Sequence, residues 1–141
     1  MGSVGRMQNH RPHVRIEIPL RHRDVDQLGH VNQAVYHVLL EEVRAEFVHQ
    51  ALPELPFTGY ILARSELDYR RELQIEDRYV IGEAHVSALG RSSITIENRL
   101  LKPDGETVAA EGKAIVVAWD SEQRRARPLS EEERGILMPD A

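Results

Sequence analysis

The chain contains no cysteine. Disulfides, cysteine zinc sites and thiol nucleophiles are thereby excluded, and the lack fits the expected cytoplasmic location. Aromatic residues are scarce, at 5%, so the interior is expected to be built from Val, Ile, Leu and Ala. Positive charge is not in excess. The formal net charge is -5 at pH 7, which argues against a general nucleic-acid partner. Long apolar runs are missing too. None approaches the roughly 20 residues that span a membrane, so no membrane partner is expected. The polar start, MGSVGRMQNHRPH, lacks the apolar core of a signal peptide. Met1-Gly2 opens like a myristoylation site, but the Ser or Thr expected at the sixth position is Arg6. Residues 1–12 read as a flexible tail, and 13–141 as one domain.

What is present suits that single domain: 141 residues, of which 41% are hydrophobic and 29% charged. No repeat or low-complexity linker interrupts them. From His13 to Arg23 the pattern alternates, with Val14, Ile16, Ile18 and Leu20 on one face, which predicts a strand. From Val31 the apolar residues Ala34, Val35, Val38, Leu39, Val43 and Phe47 fall at helical spacing, and LPELP at 52–56 ends the helix. Four further strands are predicted over 60–73, 77–89, 92–102 and 106–119. Gly90 and KPDG at 102–105 mark turns between them. Ser130 as cap and Glu133 completing a capping box predict a short last helix. The order predicts an α+β domain whose curved five-stranded antiparallel sheet is covered by one long helix. One helix on five strands leaves an edge and apolar surface bare, so a homodimer or homotetramer is expected.

The stretch DVDQLGHVNQAVY, from Asp24 to Tyr36, crowds polar groups at the mouth of the long helix. If the first strand runs through Arg23, Asp24 and Asp26 point the same way. Gln27, Leu28 and Gly29 then make the turn, and Asn32 takes the N-cap. The first helical N–H groups, around Gln33 and Ala34, lack intrahelical partners and carry the positive end of the helix dipole. Such a terminus can polarise a carbonyl, and a neighbouring carboxylate can act as base or nucleophile. Together they are a minimal kit for ester or thioester hydrolysis.

The same stretch resembles the motif D-x-D-x-x-G-H-V-N-N-x-x-Y of the hotdog-fold acyl-CoA thioesterases, the 4-hydroxybenzoyl-CoA thioesterase-like group. Asp24, Asp26, Gly29, His30, Val31, Asn32 and Tyr36 match, while Gln33 departs from the second Asn. EEVRAEF, LDYRREL, GRSS and DGETVAAEGKAIVVAWD are similar to later parts of the family pattern. The resemblance implies a hotdog fold with the sheet wrapped around the central helix. It implies Asp26 as the catalytic carboxylate and the Gln33 N–H as the carbonyl-polarising donor. His30 and Asn32 would line the site, with Gly29 and Tyr36 among the substrate-binding positions. Arg91 resembles the family position that reaches coenzyme A phosphates, and Ser92 beside it is carried as a substrate-binding candidate, though Ser92 and Ser93 also read as strand-start residues. YRR at 69–71 is basic and interrupts the apolar pattern, so it is read as contacting either those phosphates, with Arg70 carried as the substrate-binding candidate, or only a neighbouring subunit. Sites of this family lie between two subunits. No cofactor is implied beyond the coenzyme A of the substrate.

Other readings are weaker. As a calcium loop counted from Asp24, position five is Leu28 and position twelve Val35, neither with a side-chain oxygen. A metal held by His22, Asp24, Asp26 and His30 has no recognised spacing behind it, and no metal is expected. G-x-S-x-G is absent. Glu42, on the apolar stripe, is a second catalytic option, or a buried carboxylate paired with an arginine near Arg44 or with Arg64. The expected function is hydrolysis of an acyl-CoA thioester to free acid and coenzyme A. The alternatives are an acyl carrier protein thioesterase of the same fold and a non-catalytic acyl-CoA-binding module.

Overall fold

Alternating and helical stretches become sheet and helix much where the pattern places them. The computed structural model describes residues 3–4, 11–54 and 59–140. The strands are β1 (Ser3–Val4), β2 (His13–Pro19), β3 (Tyr60–Tyr69), β4 (Tyr79–Leu89), β5 (Ser93–Leu101), β6 (Val108–Asp120) and β7 (Arg125–Ala126). The helices are α1 (Gln33–Ala51) and α2 (Glu131–Leu137). Every pairing is antiparallel, in the order β1-β2-β4-β5-β6-β3, with β7 on β6. The five long strands are those expected, and with α1 across their concave face they make a hotdog fold. The expected tail, residues 1–12, falls largely outside the described residues. Within it Ser3–Val4 pairs with β2, and Arg11 bonds Asp140 at 3.1 Å.

Residues of alternate parity on β4 and β5 face α1. Val80, Ala84, Val86, Ile94, Ile96 and Leu100 are all buried. Gly82 faces α1 as well, and a Cβ there would overlap Val43 Cγ2, so glycine sets how closely helix and sheet approach. Helix α1 answers with Tyr36, Leu39, Leu40, Val43, Phe47 and Val48, all buried on one side. Each full burial of this kind contributes about 1.5–3 kcal/mol. The helix is rotated from the expected stripe: Ala34 is exposed and Val38 is 45% exposed, because Leu40 and Val48 bury more apolar area on the other flank. Glu42 is exposed rather than buried, and the charge taken into the interior is Arg44, whose pKa burial lowers. Among the described residues no helix is long and apolar enough to cross a membrane.

Helix α2 forms as its capping box predicts. Ser130 Oγ accepts from Glu133 N at 3.0 Å, and Glu133 Oε1 accepts from Ser130 N at 2.7 Å. Glu133 is buried and also accepts from Arg127 at 2.8 Å and from the Tyr60 hydroxyl at 2.7 Å. The helix is thereby tied to the start of β3. Arg134 donates to the Gly90 carbonyl at 2.6 Å, which pins the turn that carries Arg91.

Candidate active site

Strand β2 stops at Pro19, and His22–Asp24 forms one turn of 3-10 helix. Asp24 and Asp26 therefore do not share a strand face. Asp24 turns inward, 2% exposed, and accepts from the Arg21 N–H at 2.8 Å and its guanidinium at 3.0 Å. Burial pushes its carboxyl up, but the hydrogen bonds and charge of Arg21 outweigh it and the pKa is lowered. Its main-chain carbonyl accepts from Asn32 N at 3.0 Å. Asp24 is thus a structural carboxylate that holds the two ends of the loop together.

Asp26 is exposed and organises the turn beyond it. Its Oδ1 accepts from Leu28 N at 2.9 Å and from His30 N at 3.1 Å. Gly29 has φ +82, a left-handed conformation that a side chain would strain, and so closes the turn. Among the described residues Oδ2 of Asp26 accepts no hydrogen bond. Asn32 caps α1, its side chain accepting from Ala34 N at 2.9 Å. Val35 N bonds the Asn32 carbonyl. Among the described residues the Gln33 N–H makes no hydrogen bond, which leaves one donor free at the positive end of the helix.

These groups share one cavity of about 510 Å³, into which Asp26, His30, Asn32 and Gln33 all open. The opposite wall is the end of β3 and the segment behind it, Tyr69 to Glu72. Tyr36 fastens this wall to the helix. Its buried hydroxyl accepts from Leu73 N at 3.0 Å and donates to the Arg71 carbonyl at 3.4 Å. Burial pushes its pKa up, so the hydroxyl stays protonated. Its ring meets Tyr69 edge-on, with centroids 5.1 Å apart. His30 reaches across the cavity, Nδ1 lying 3.3 Å from Glu72 Oε1.

Arg70 also lines the cavity, yet its guanidinium is engaged by Glu111 at 3.1 Å and Asp68 at 3.7 Å. Arg91 and Ser92 are not brought to it. Ser92 O accepts from Ala118 N, opposite Tyr60 at the start of β3, while the cavity lies at Tyr69, opposite Ala110. About 25 Å of strand separates them within one chain. Glu42, the alternative carboxylate, is not among the cavity residues. Sequence reasoning passed over Glu72 and read Tyr69 only as the first residue of the basic YRR run. The run YRRE, which ends the apolar alternation of β3, is the signal that marks them. A larger hollow, about 680 Å³, shares Arg70 with this cavity and includes Glu83, Arg99 and Glu111. Its charged groups already satisfy one another, Glu83 with Arg15 and Arg99, and Glu111 with Arg70.

A curled antiparallel sheet around one main helix is the hotdog fold. A family model described as the thioesterase-like superfamily matches residues 20–137. The chain belongs to that superfamily and is a thioester hydrolase. It is similar to a thioesterase of Thermus thermophilus whose structure was solved with coenzyme A and Zn. The two are 31% identical with a TM-score of 0.78, over 87% of this chain and 90% of that one. YbaW of Escherichia coli, 21% identical with a TM-score of 0.75 over 88% of this chain and 96% of its own, shares the fold. The chain is 29% identical over 117 residues to the chloroplastic acyl-acyl carrier protein thioesterase ATL3 of Arabidopsis thaliana. That match covers 79% of this chain but only 61% of the plant protein.

Proposed function

We propose that the chain hydrolyses an acyl-CoA thioester to a free carboxylic acid and coenzyme A. The observation that carries this reading is the pairing, in one cavity, of the Asp26 carboxylate with the free Gln33 N–H. The N–H polarises the thioester carbonyl and stabilises the oxyanion that develops on it. Asp26 delivers the nucleophile, either by taking a proton from water or by attacking the carbonyl itself. His30 and Asn32 complete the wall around the reacting carbon. The chemistry draws on no cofactor beyond the coenzyme A of the substrate, and the lack of cysteine suits a cytoplasmic setting.

The working unit is an oligomer of two or four copies. Strand β3 pairs with β6 on one side, and among the described residues its other edge has no partner. Ile61 and Leu62 on it are 40% and 47% exposed. Helix α1 packs mainly on β2, β4 and β5, and residues 61–66 of β3 are left exposed in one chain. A second copy covers that stretch and brings its own Arg91 and Ser92 toward the Asp26 cavity.

A panel of acyl-CoA and acyl carrier protein thioesters, read by thiol release, tests the reading. Turnover of one or more acyl-CoA substrates is expected. Cleavage of carrier-protein thioesters alone would move the assignment to the second reading, which the similarity to the plant enzyme favours. Release from neither class would overturn both.

A further inference from the structure

Two arginines stand side by side at the mouth of the cavity, and their surroundings differ. Arg70 faces two carboxylates, Glu111 at 3.1 Å and Asp68 at 3.7 Å. Arg71 faces none. Among the described residues its side chain makes one hydrogen bond, Nη1 to the Arg70 carbonyl at 2.9 Å, and no ion pair. It is exposed. Like Arg70, it lines the Asp26 cavity and also an adjoining hollow of about 400 Å³ bordered by Thr107, Val108 and Glu111; what sets it apart is the absence of an ion pair. Its backbone is held in place: Arg70 N and Arg71 N both donate to Ala109 O, at 2.8 and 3.1 Å, and Tyr36 bonds the Arg71 carbonyl. Arg71 is thus an uncompensated cation on a fixed ridge between the reacting end of the site and open solvent, in a chain whose net charge is -5.

We propose that Arg71 is a phosphate-binding residue, and that the pantetheine arm of the substrate leaves the Asp26 cavity over Arg71 toward the hollow beside Thr107 and Val108. This rests on the thioesterase reading above. A thioester carried on pantetheine ends in phosphate, whether the carrier is coenzyme A or an acyl carrier protein, so the shared ligand chemistry is a phosphate ester of pantetheine. Arg70 does not serve, because a phosphate there would compete with two carboxylates already in place. The guanidinium of Arg71 offers its remaining N–H groups to phosphate oxygens, the geometry for which arginine is suited.

The test crosses a substitution with a truncation of the substrate. Wild type, Arg71→Ala and Arg70→Ala are each assayed on one acyl group carried by coenzyme A, by phosphopantetheine and by pantetheine, at low and high salt. Arg71→Ala is expected to raise KM about tenfold on acyl-CoA at low salt with kcat little changed, the size of one charge-assisted contact. The penalty should shrink at high salt and vanish on acyl-pantetheine, which has no phosphate. A penalty that persists on acyl-phosphopantetheine assigns the contact to the phosphate shared with carrier proteins. One confined to acyl-CoA assigns it to the nucleotide phosphates. An equal penalty on all three carriers, or a larger one in Arg70→Ala, would overturn the proposal. Calorimetry with coenzyme A and with pantetheine separates the two levels of inference. If wild type binds coenzyme A and Arg71→Ala binds it equally well, the phosphate assignment fails while the thioesterase reading stands. If wild type neither cleaves any of the thioesters nor binds coenzyme A, the reading itself has failed.

Discussion

His30 closes onto Asp26 with both of its main-chain polar groups. Its N–H donates to Asp26 Oδ1 at 3.1 Å, and its carbonyl accepts from Asp26 N at 2.9 Å. One carboxylate oxygen therefore builds the turn, and among the described residues the other accepts no hydrogen bond.

That asymmetry makes Asp26→Asn a clean test. Asparagine retains an Oδ1 that can accept from Leu28 N and His30 N, so the turn and the melting temperature should survive. It has no basic oxygen to replace Oδ2. We expect kcat to fall by about a hundred- to ten-thousand-fold, with KM little changed because the Gln33 N–H is untouched. Asp24→Asn should do the reverse, lowering stability by weakening the bonds that the buried Asp24 carboxylate accepts from the exposed Arg21, while sparing most turnover. Near-normal kcat in Asp26→Asn, with a dead Glu42→Gln, would place the chemistry on the helix instead.

The roughly 25 Å of strand between the Ser92 end of the sheet and the cavity at Tyr69 within one chain leads to a complementation experiment. Asp26→Asn and Arg91→Ala subunits, mixed and allowed to exchange, should regain sites that pair an intact Asp26 with an intact Arg91 from the other chain. We expect a fraction of wild-type kcat at wild-type KM. Mixtures that behave as the sum of the two parents, or sedimentation of wild type as a monomer at micromolar concentration, would rule out a site shared between subunits.

Val43 of the helix packs directly over Gly82 of the sheet. Gly82→Ala should destabilise the fold by about 1–3 kcal/mol, because its Cβ would overlap a branched side chain that is itself fully buried. Adding Val43→Ala should recover part of the loss, a coupling that a double-mutant cycle in urea would measure. Strictly additive penalties would show that the clash is relieved some other way.

Glu133 supplies a pH dependence of known sign. Burial raises its pKa, but hydrogen bonds from Arg127, Ser130 N and Tyr60 outweigh this and lower it from 4.5 to about 2. Because the folded value lies below the unfolded one, the ionised carboxylate stabilises the fold above about pH 4.5. That contribution is lost as pH falls from 4.5 toward 2. Glu133→Gln should lower Tm at pH 7 by several degrees, since a largely buried pair is broken while Arg127 stays partly hydrated. The gap between wild type and variant should then narrow in acid. Melting curves that stay parallel down to pH 2 would refute the linkage.

The order of the elements, the identity of both helix caps and the turn at Asp26 were legible in the sequence by itself. Each is settled over a few residues: Asn32 two before the N–H it accepts, Ser130 three before Glu133, Gly29 where φ is positive. The motif around Asp26 was legible for the same reason, since its groups converge through a single turn. Periodicity also showed which residues of a strand share a face. It did not reveal which end of the sheet a residue would occupy, or which neighbour it would meet. The separation of Arg91 and Ser92 from the cavity depends on the register of β3 on β6, between segments some fifty residues apart in sequence. The rotation of α1 that exposes Val38 and buries Arg44 came from competition among nearly equal apolar flanks, decided by what the sheet offered opposite. Arg70 and Arg71 are adjacent and chemically identical in the sequence. Asp68 lies two residues from Arg70, but only the pairing of β6 with β3 set Glu111 against Arg70 and left Arg71 without an ion pair among the described residues.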